Sequence, residues 1–186
     1  MFEKIVVPLD ASSASEIALP YAEEIASRLS AEIILVSVSE VVAAGADQLY
    51  RTYLKSLEER VLSEMEHFEG KEAPKVRSEL LLGTRAPEIL RFADENDVSL
   101  IILASHGRSL ESPWLLGNVA AKVLRASQKP VLLIKVAARN GALNERKLIR
   151  KVLLPLDGSK PGEQAVPYAQ KLIQGMGGPG CPDSSP

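Results

Sequence analysis

The chain has 186 residues, with 22 Lys and Arg against 24 Asp and Glu, a formal net charge of −2 and 46% hydrophobic residues. These values suit a folded globular chain and exclude a disordered acidic chain, a collagen-like repeat and a disulfide scaffold. Near-neutral charge gives no electrostatic case for nucleic acid, which usually needs a basic face. The single cysteine, Cys181, lies in a Gly/Pro/Ser tail and has no internal partner. No apolar run approaches the length of a membrane span, and the apolar stretch at 5–9 is too short for a signal peptide. The expected location is the cytoplasm, with no membrane contact.

The apolar runs lie at 5–9, 33–38, 76–82, 100–104 and 131–136. Most are continuously apolar, as in strands buried on both faces of a parallel sheet. Between the first two, Ile17, Tyr21, Ile25 and Leu29 recur every four residues with Ala18, Ala22 and Ala26 beside them, which predicts an amphipathic helix. Ser13 and Glu16 fit a capping box at its start, and Pro20 should kink it. A longer helix is predicted at about 47–68, with Tyr50, Leu54, Leu57, Val61 and Met65 inward. A third is predicted at 86–96, and a fourth at 118–126 with Asn118 as its N-cap.

The order is thus β-α-β-α-β-α-β-α-β. Right-handed crossovers make this an α/β, doubly wound, five-stranded parallel sheet in order 3-2-1-4-5, with helices on both faces. The order reverses between the first and fourth strands. Ligands bind such sheets at the carboxyl ends flanking the reversal, here Asp10 and the segment 104–107.

An internal repeat follows. Residues 4–25 read KIVVPLDASSASEIALPYAEEI and residues 151–172 read KVLLPLDGSKPGEQAVPYAQKL, identical at ten of 22 positions with an offset of 147. One strand and one helix cannot bury a core alone. The expected organisation is a complete domain at 1–138, a linker at 139–149, the truncated start of a second domain at 150–174 and a disordered tail at 175–186. The leftover strand at 152–156 either adds to a sheet edge, swaps between chains or stays loose.

Three segments in one register resemble the universal stress protein family. They are Val7-Pro8-Leu9-Asp10, Gly83-Thr84-Arg85-Ala86-Pro87-Glu88-Ile89-Leu90, and Leu103-Ala104-Ser105-His106-Gly107-Arg108-Ser109 with Leu115-Leu116-Gly117-Asn118-Val119 after it. The resemblance covers about 2–136 and implies the sheet argued above. Residues 150–172 look like the start of a second such domain, as in tandem members.

ATP-binding members of that family resemble Gly-x2-Gly-x9-Gly-Ser/Thr. The corresponding residues here are Ala104, Gly107, Gly117 and Asn118, with the spacing intact and two of the four types changed. Phosphates need backbone N–H donors that approach without an obstructing Cβ, and a helix N-terminus adds free donors. Gly107 and Gly117 suit that chemistry, and so does an ordinary loop with a capped helix. Asp10 either accepts from ribose hydroxyls, as its family counterpart does, or holds a turn. The resemblance implies a nucleotide site of Pro8, Leu9, Asp10, Val38, Ala104, Gly107, Arg108, Gly117, Asn118 and Val119, with the backbone of Val38 meeting adenine. Arg108 reaches a phosphate or is a solvated loop residue. His106 reads as a loop histidine rather than a metal ligand or base. Trp114 packs the loop or borders the nucleotide, and Glu111 opposes tight phosphate binding.

No Ser-His-Asp constellation, paired carboxylates or Walker motif is legible, so no dedicated enzyme is expected. The leading function is ATP binding, with or without Mg²⁺, as a conformational or partner-regulating ligand. The second is a nucleotide-free protein that dimerises and contacts an unknown protein partner, and the third a slow ATPase or autokinase. The strand at 131–136 is an apolar edge without an internal proline, which predicts a homodimer through it.

Overall fold

A computed structural model describes residues 2–40, 46–66, 75–106, 116–135, 148–149 and 151–175. The elements are β1 (Lys4–Pro8), α1 (Ser13–Glu16), α2 (Leu19–Leu29), β2 (Glu32–Ser39), α3 (Ala46–Met65), β3 (Lys75–Leu82), α4 (Arg85–Glu95), β4 (Leu100–Ala104), α5 (Asn118–Ala126), β5 (Val131–Ile134), α6 (Lys160–Glu163) and α7 (Val166–Gly175). The five strands form one sheet in the order β3-β2-β1-β4-β5, with every pairing parallel. This is the expected doubly wound sheet.

Alternate residues of each central strand serve opposite faces. Ile5, Val7, Ile33, Leu35 and Ile102 pack with Ala18, Ala22 and Ile25 of the α1–α2 segment and with Leu54, Leu57 and Val61 of α3. Val6, Ile34, Val36, Ile101 and Leu103 pack with Ala86, Ile89 and Phe92 of α4 and with Ala120 and Val123 of α5. Burial on both faces is why these strands read as unbroken apolar runs.

Three details differ from expectation. The segment containing Pro20 is two helices rather than one kinked helix: α1 closes at Glu16 and α2 opens at Leu19 with Pro20 in its first turn. Proline has no N–H to give and its ring crowds the carbonyl one turn back, whereas an opening turn needs neither. The N-cap of α1 is Ser12, not Ser13. Ser12 has extended backbone (φ −108°, ψ 146°), and its Oγ accepts the Ser15 N–H at 3.2 Å. Glu16 completes no capping box with Ser13. It accepts from Tyr53 Oη at 3.0 Å and pairs with Arg60 at 2.8 Å on α3. At α5 the N-cap is Gly117, so Asn118 is the first helical residue.

The repeat is visible in three dimensions. α6 and α7 begin 147 residues after α1 and α2 and break at the same place, ahead of Pro167. α7 packs onto the first copy: Tyr168 and Leu172 join the core cluster beneath α2, and the Tyr168 ring lies 6.1 Å from Phe2. Leu148 and Ile149 donate their backbone N–H groups to the buried Glu24 carboxylate of α2. Residues 151–157 form no strand, and Val152, Leu153 and Leu156 are exposed. β5 ends at Ile134, two residues short of the expected 131–136, with Lys135 already outside the strand. Val136, the expected end of that strand, lies outside the described residues. No helix among the described residues is long and apolar enough to cross a membrane.

Candidate functional site

β1 and β2 stay in register only to Pro8 and Val36, while β2 and β3 continue to Ser39 and Leu82. The chain leaves β1 at Leu9, whose N–H reaches Val36 O at 2.8 Å, and turns away. On the other side of β1, β4 ends at Ala104 and leads toward α5. The sheet therefore opens between the carboxyl ends of β1 and β4, at the reversal of strand order.

A cavity of about 270 Å³ fills this opening. It is lined by Pro8, Leu9, Asp10, Ser15, Val36, Val38, Leu103 to His106, Gly117 to Ala120, Tyr50 of α3, and Arg85 and Ile89 of α4. Eight of the ten residues expected from sequence meet here: Pro8, Leu9, Asp10, Val38, Ala104, Gly117, Asn118 and Val119. Gly107 and Arg108 lie outside the described residues, as do Glu111 and Trp114.

The cavity wall changes character along its length. Val36, Val38, Ile89, Leu103 and Ala104 make an apolar part. In a parallel ladder the backbone groups of alternate residues point to the same side. Val36 faces β1 through its bond to Leu9, so Val38 directs its N–H and C=O to that side beyond the end of β1. A flat heterocycle with a donor and an acceptor on one edge has a matching edge of backbone there.

The α5 end of the cavity is polar. The first backbone bond of this helix runs from Ala121 N to Gly117 O at 2.8 Å, and Gly117 supplies no side-chain cap. The N–H groups of Asn118, Val119 and Ala120 therefore have no acceptor within the helix, and the helix dipole adds partial positive charge. An anion is the natural partner for three such donors. Gly117 N itself bonds to Ser105 O at 2.8 Å, which ties this helix end to the end of β4.

Asp10 closes the third side. Its Oδ1 accepts the Ser12 N–H at 3.1 Å and the Ser12 hydroxyl at 2.5 Å. The residue that lines the cavity therefore also holds this turn. The bend it holds puts Ala11 at φ +61°, a left-handed conformation unusual for a residue with a Cβ. The second copy repeats this turn, with Asp157 Oδ1 accepting Ser159 N at 2.9 Å around Gly158 at φ +76°.

Arg85 and Tyr50 also line the cavity and were not among the expected site residues. Arg85 pairs with Glu40 at 3.1 Å across the end of β2. Its position directly after Gly83-Thr84 at the start of α4 was the available signal. His106 is buried beside Ser105 and also lines the cavity, a placement its reading as a loop histidine did not include.

The most displaced acidic group sits elsewhere. Burial, followed by the neighbouring Glu64 carboxylate, pushes Glu23 of α2 from 4.5 up to about 8, against a smaller opposing effect of Arg60. Burial and the Glu16 charge push the Tyr53 hydroxyl upward as well. Neither residue lines the cavity. Among the described residues no group of three or more His, Cys, Asp or Glu could hold a metal ion.

The model of the universal stress protein family matches residues 1–135. The universal stress protein MJ0531 of Methanocaldococcus jannaschii is 30% identical over 141 residues, covering 73% of this chain and 83% of that protein. The universal stress protein YxiE of Bacillus subtilis is 31% identical over 148 residues, covering 73% of this chain and 100% of its own. Among solved structures, that of MJ0577 of the same archaeon is 31% identical, with a TM-score of 0.55 over 75% of this chain and 99% of that one. A universal stress protein solved in complex with cAMP is 23% identical with a TM-score of 0.59, over 73% of this chain and 98% of that one, and shares the fold. Strand order, the cavity at the reversal and these matches agree, and the chain belongs to the universal stress protein family.

Proposed function

We propose that this protein binds ATP in the cavity between β1 and β4 and acts as a cytoplasmic, nucleotide-responsive stress protein. One observation carries this reading. An apolar slot edged by Val38, the Asp10 carboxylate and three helix N–H groups without intrahelical acceptors converge on one cavity. They match, in order, a base, ribose hydroxyls and phosphate. Proteins of this fold have been solved with cAMP and with dAMP. At 23% and 24% identity those structures bear on the fold, and the ligand is argued here from the cavity itself. Ala104 offers only backbone and a methyl group to the slot, and Asn118 contributes its helix N–H whatever its side chain. The two departures from the glycine pattern therefore leave the donors in place.

Calorimetric titration with ATP, with and without Mg²⁺, tests the proposal. Saturable binding in the micromolar range, lost in Asp10→Ala, is the expected result. An absence of heat at millimolar ATP refutes it.

A second reading draws on β5. This edge strand carries Val131, Leu132 and Leu133 half-buried, and an apolar edge favours pairing with another strand. A homodimer through β5 accommodates the nucleotide reading and also stands without it. Light scattering across a concentration series reads it directly, and a constant monomer mass overturns it.

A further inference from the structure

Tyr50 and Arg85 reach the cavity from opposite layers of the fold. Tyr50 lies on α3, one turn ahead of Leu54, which belongs to the core on one face of the sheet. Arg85 opens α4, one turn ahead of Ile89, which belongs to the core on the other face. Each helix follows a strand and so begins at the end of the sheet where the cavity opens.

The sheet sets the plane between them. The hydrogen bonds of a ladder run within the sheet, and side chains stand off its two faces. β1 accompanies β2 only to Val36, whereas β3 accompanies it to Ser39. A flat ring bonded to the backbone edge of Val38 therefore takes the place that further residues of β1 would fill, and lies in the plane of the sheet. Its two faces look toward α3 and α4, the layers that carry Tyr50 and Arg85.

Arg85 is held in position. Ile34, Val36 and Val38 alternate onto the α4 face of β2, and Glu40 continues that row beyond the strand. The Glu40 carboxylate meets the Arg85 guanidinium at 3.1 Å, with both side chains half-exposed. The ion pair thus borders the outer end of the apolar slot. A planar cation tied at its edge keeps its face for stacking, which a lysine ammonium does not offer.

We infer that Tyr50 and Arg85 clamp the heterocycle of the ligand, a phenol ring on one face and a guanidinium on the other. This deepens the nucleotide reading and rests on it for the identity of the ligand. Stacking tolerates any base, so the clamp supplies affinity for the ring and leaves the reading of its edge to Val38.

Calorimetry of the full chain with ATP, adenosine and tripolyphosphate separates base from phosphate. Tyr50→Ala and Arg85→Ala should each weaken ATP and adenosine about tenfold and leave tripolyphosphate unchanged. Tyr50→Phe keeps the ring and should keep the affinity. Arg85→Lys keeps the charge without the plane and should behave like Arg85→Ala; full affinity in Arg85→Lys overturns stacking by Arg85. In the parent chain, which needs no variant to fold, nuclear Overhauser contacts should run from adenine H2 and H8 to the Tyr50 ring and the Arg85 side chain. Bound ATP without those contacts, and with equal affinity in both alanine variants, overturns the clamp and spares the nucleotide reading. A loss shared equally by tripolyphosphate overturns the clamp too, because it reports a disturbed site. Failure of the parent to bind ATP and adenosine overturns the nucleotide reading and the clamp with it.

Discussion

Gly117 donates its backbone N–H to the carbonyl of Ser105 across 2.8 Å, joining the amino end of α5 to the carboxyl end of β4. The backbone at Gly117, with φ −59° and ψ 149°, suits any residue, so conformation does not demand glycine here. Space does. A Cβ would stand 3.1 Å from Ser105 O and 3.5 Å from His106 Cα, both backbone atoms. Gly117→Val should force this junction apart at a stability cost of about 1–2 kcal/mol. It should also weaken ATP by about tenfold or more, because the donors of α5 move relative to β4. Calorimetry and thermal unfolding read the two effects separately, and unaltered affinity would show that the junction does not set the site.

Asp10 holds a turn and, under the proposed function, also meets the nucleotide, and different substitutions separate the two. Asp10→Ala removes the acceptor for Ser12 N and Oγ and should cost about 1 kcal/mol of stability as well as nucleotide affinity. Asp10→Asn keeps an oxygen for the turn and drops the charge. Its unfolding midpoint should stay near that of the parent while affinity falls. Equal affinity in Asp10→Asn and the parent would mean that the residue serves the turn alone.

The neighbouring Ala11 is a site for stabilisation. Its φ of +61° places a Cβ where glycine is preferred, and the second copy has Gly158 at the matching position with φ +76°. Relief of the strain exceeds the added flexibility of the unfolded chain, so Ala11→Gly should gain about 0.5–1 kcal/mol. Urea unfolding measures it, and a loss of stability would show that the turn tolerates alanine freely.

The sheet was legible because its central strands are buried on both faces, leaving a signal that needs no neighbours to interpret. Cap positions were not. The run Ala11-Ser12-Ser13-Ala14-Ser15 offers three hydroxyls, and only the bend held by Asp10 makes Ser12 the one that caps. Tyr50 and Arg85 enter the cavity from α3 and α4, and local pattern does not say which helix ends converge. Residues 152–156 show the limit of apolar patterning. They match β1 in sequence yet form no strand, because a strand needs flanking partners, which β1 finds in β2 and β4.

Glu23 makes stability depend on pH in a direction opposite to that of most carboxylates. It is buried on α2 facing Glu64 and Arg60 of α3, and its pKa stands at about 8 rather than 4.5. Arg60 is already paired with Glu16 at 2.8 Å, which limits what it offers Glu23. Between these two values the folded chain holds a proton that the unfolded chain has released. The contribution is fully present below pH 4.5 and is lost as pH rises through about 8. The slope from this group is at most about 1.4 kcal/mol per pH unit, with stability falling as pH increases. Glu23→Gln carries the neutral form permanently. Its urea-unfolding free energy should stay flatter from pH 5 to 9 and exceed that of the parent near pH 8.5. Glu64→Gln, which removes the neighbouring charge and leaves Glu23 buried, should keep part of the slope. Parallel curves for Glu23→Gln and the parent would assign the pH dependence to other groups.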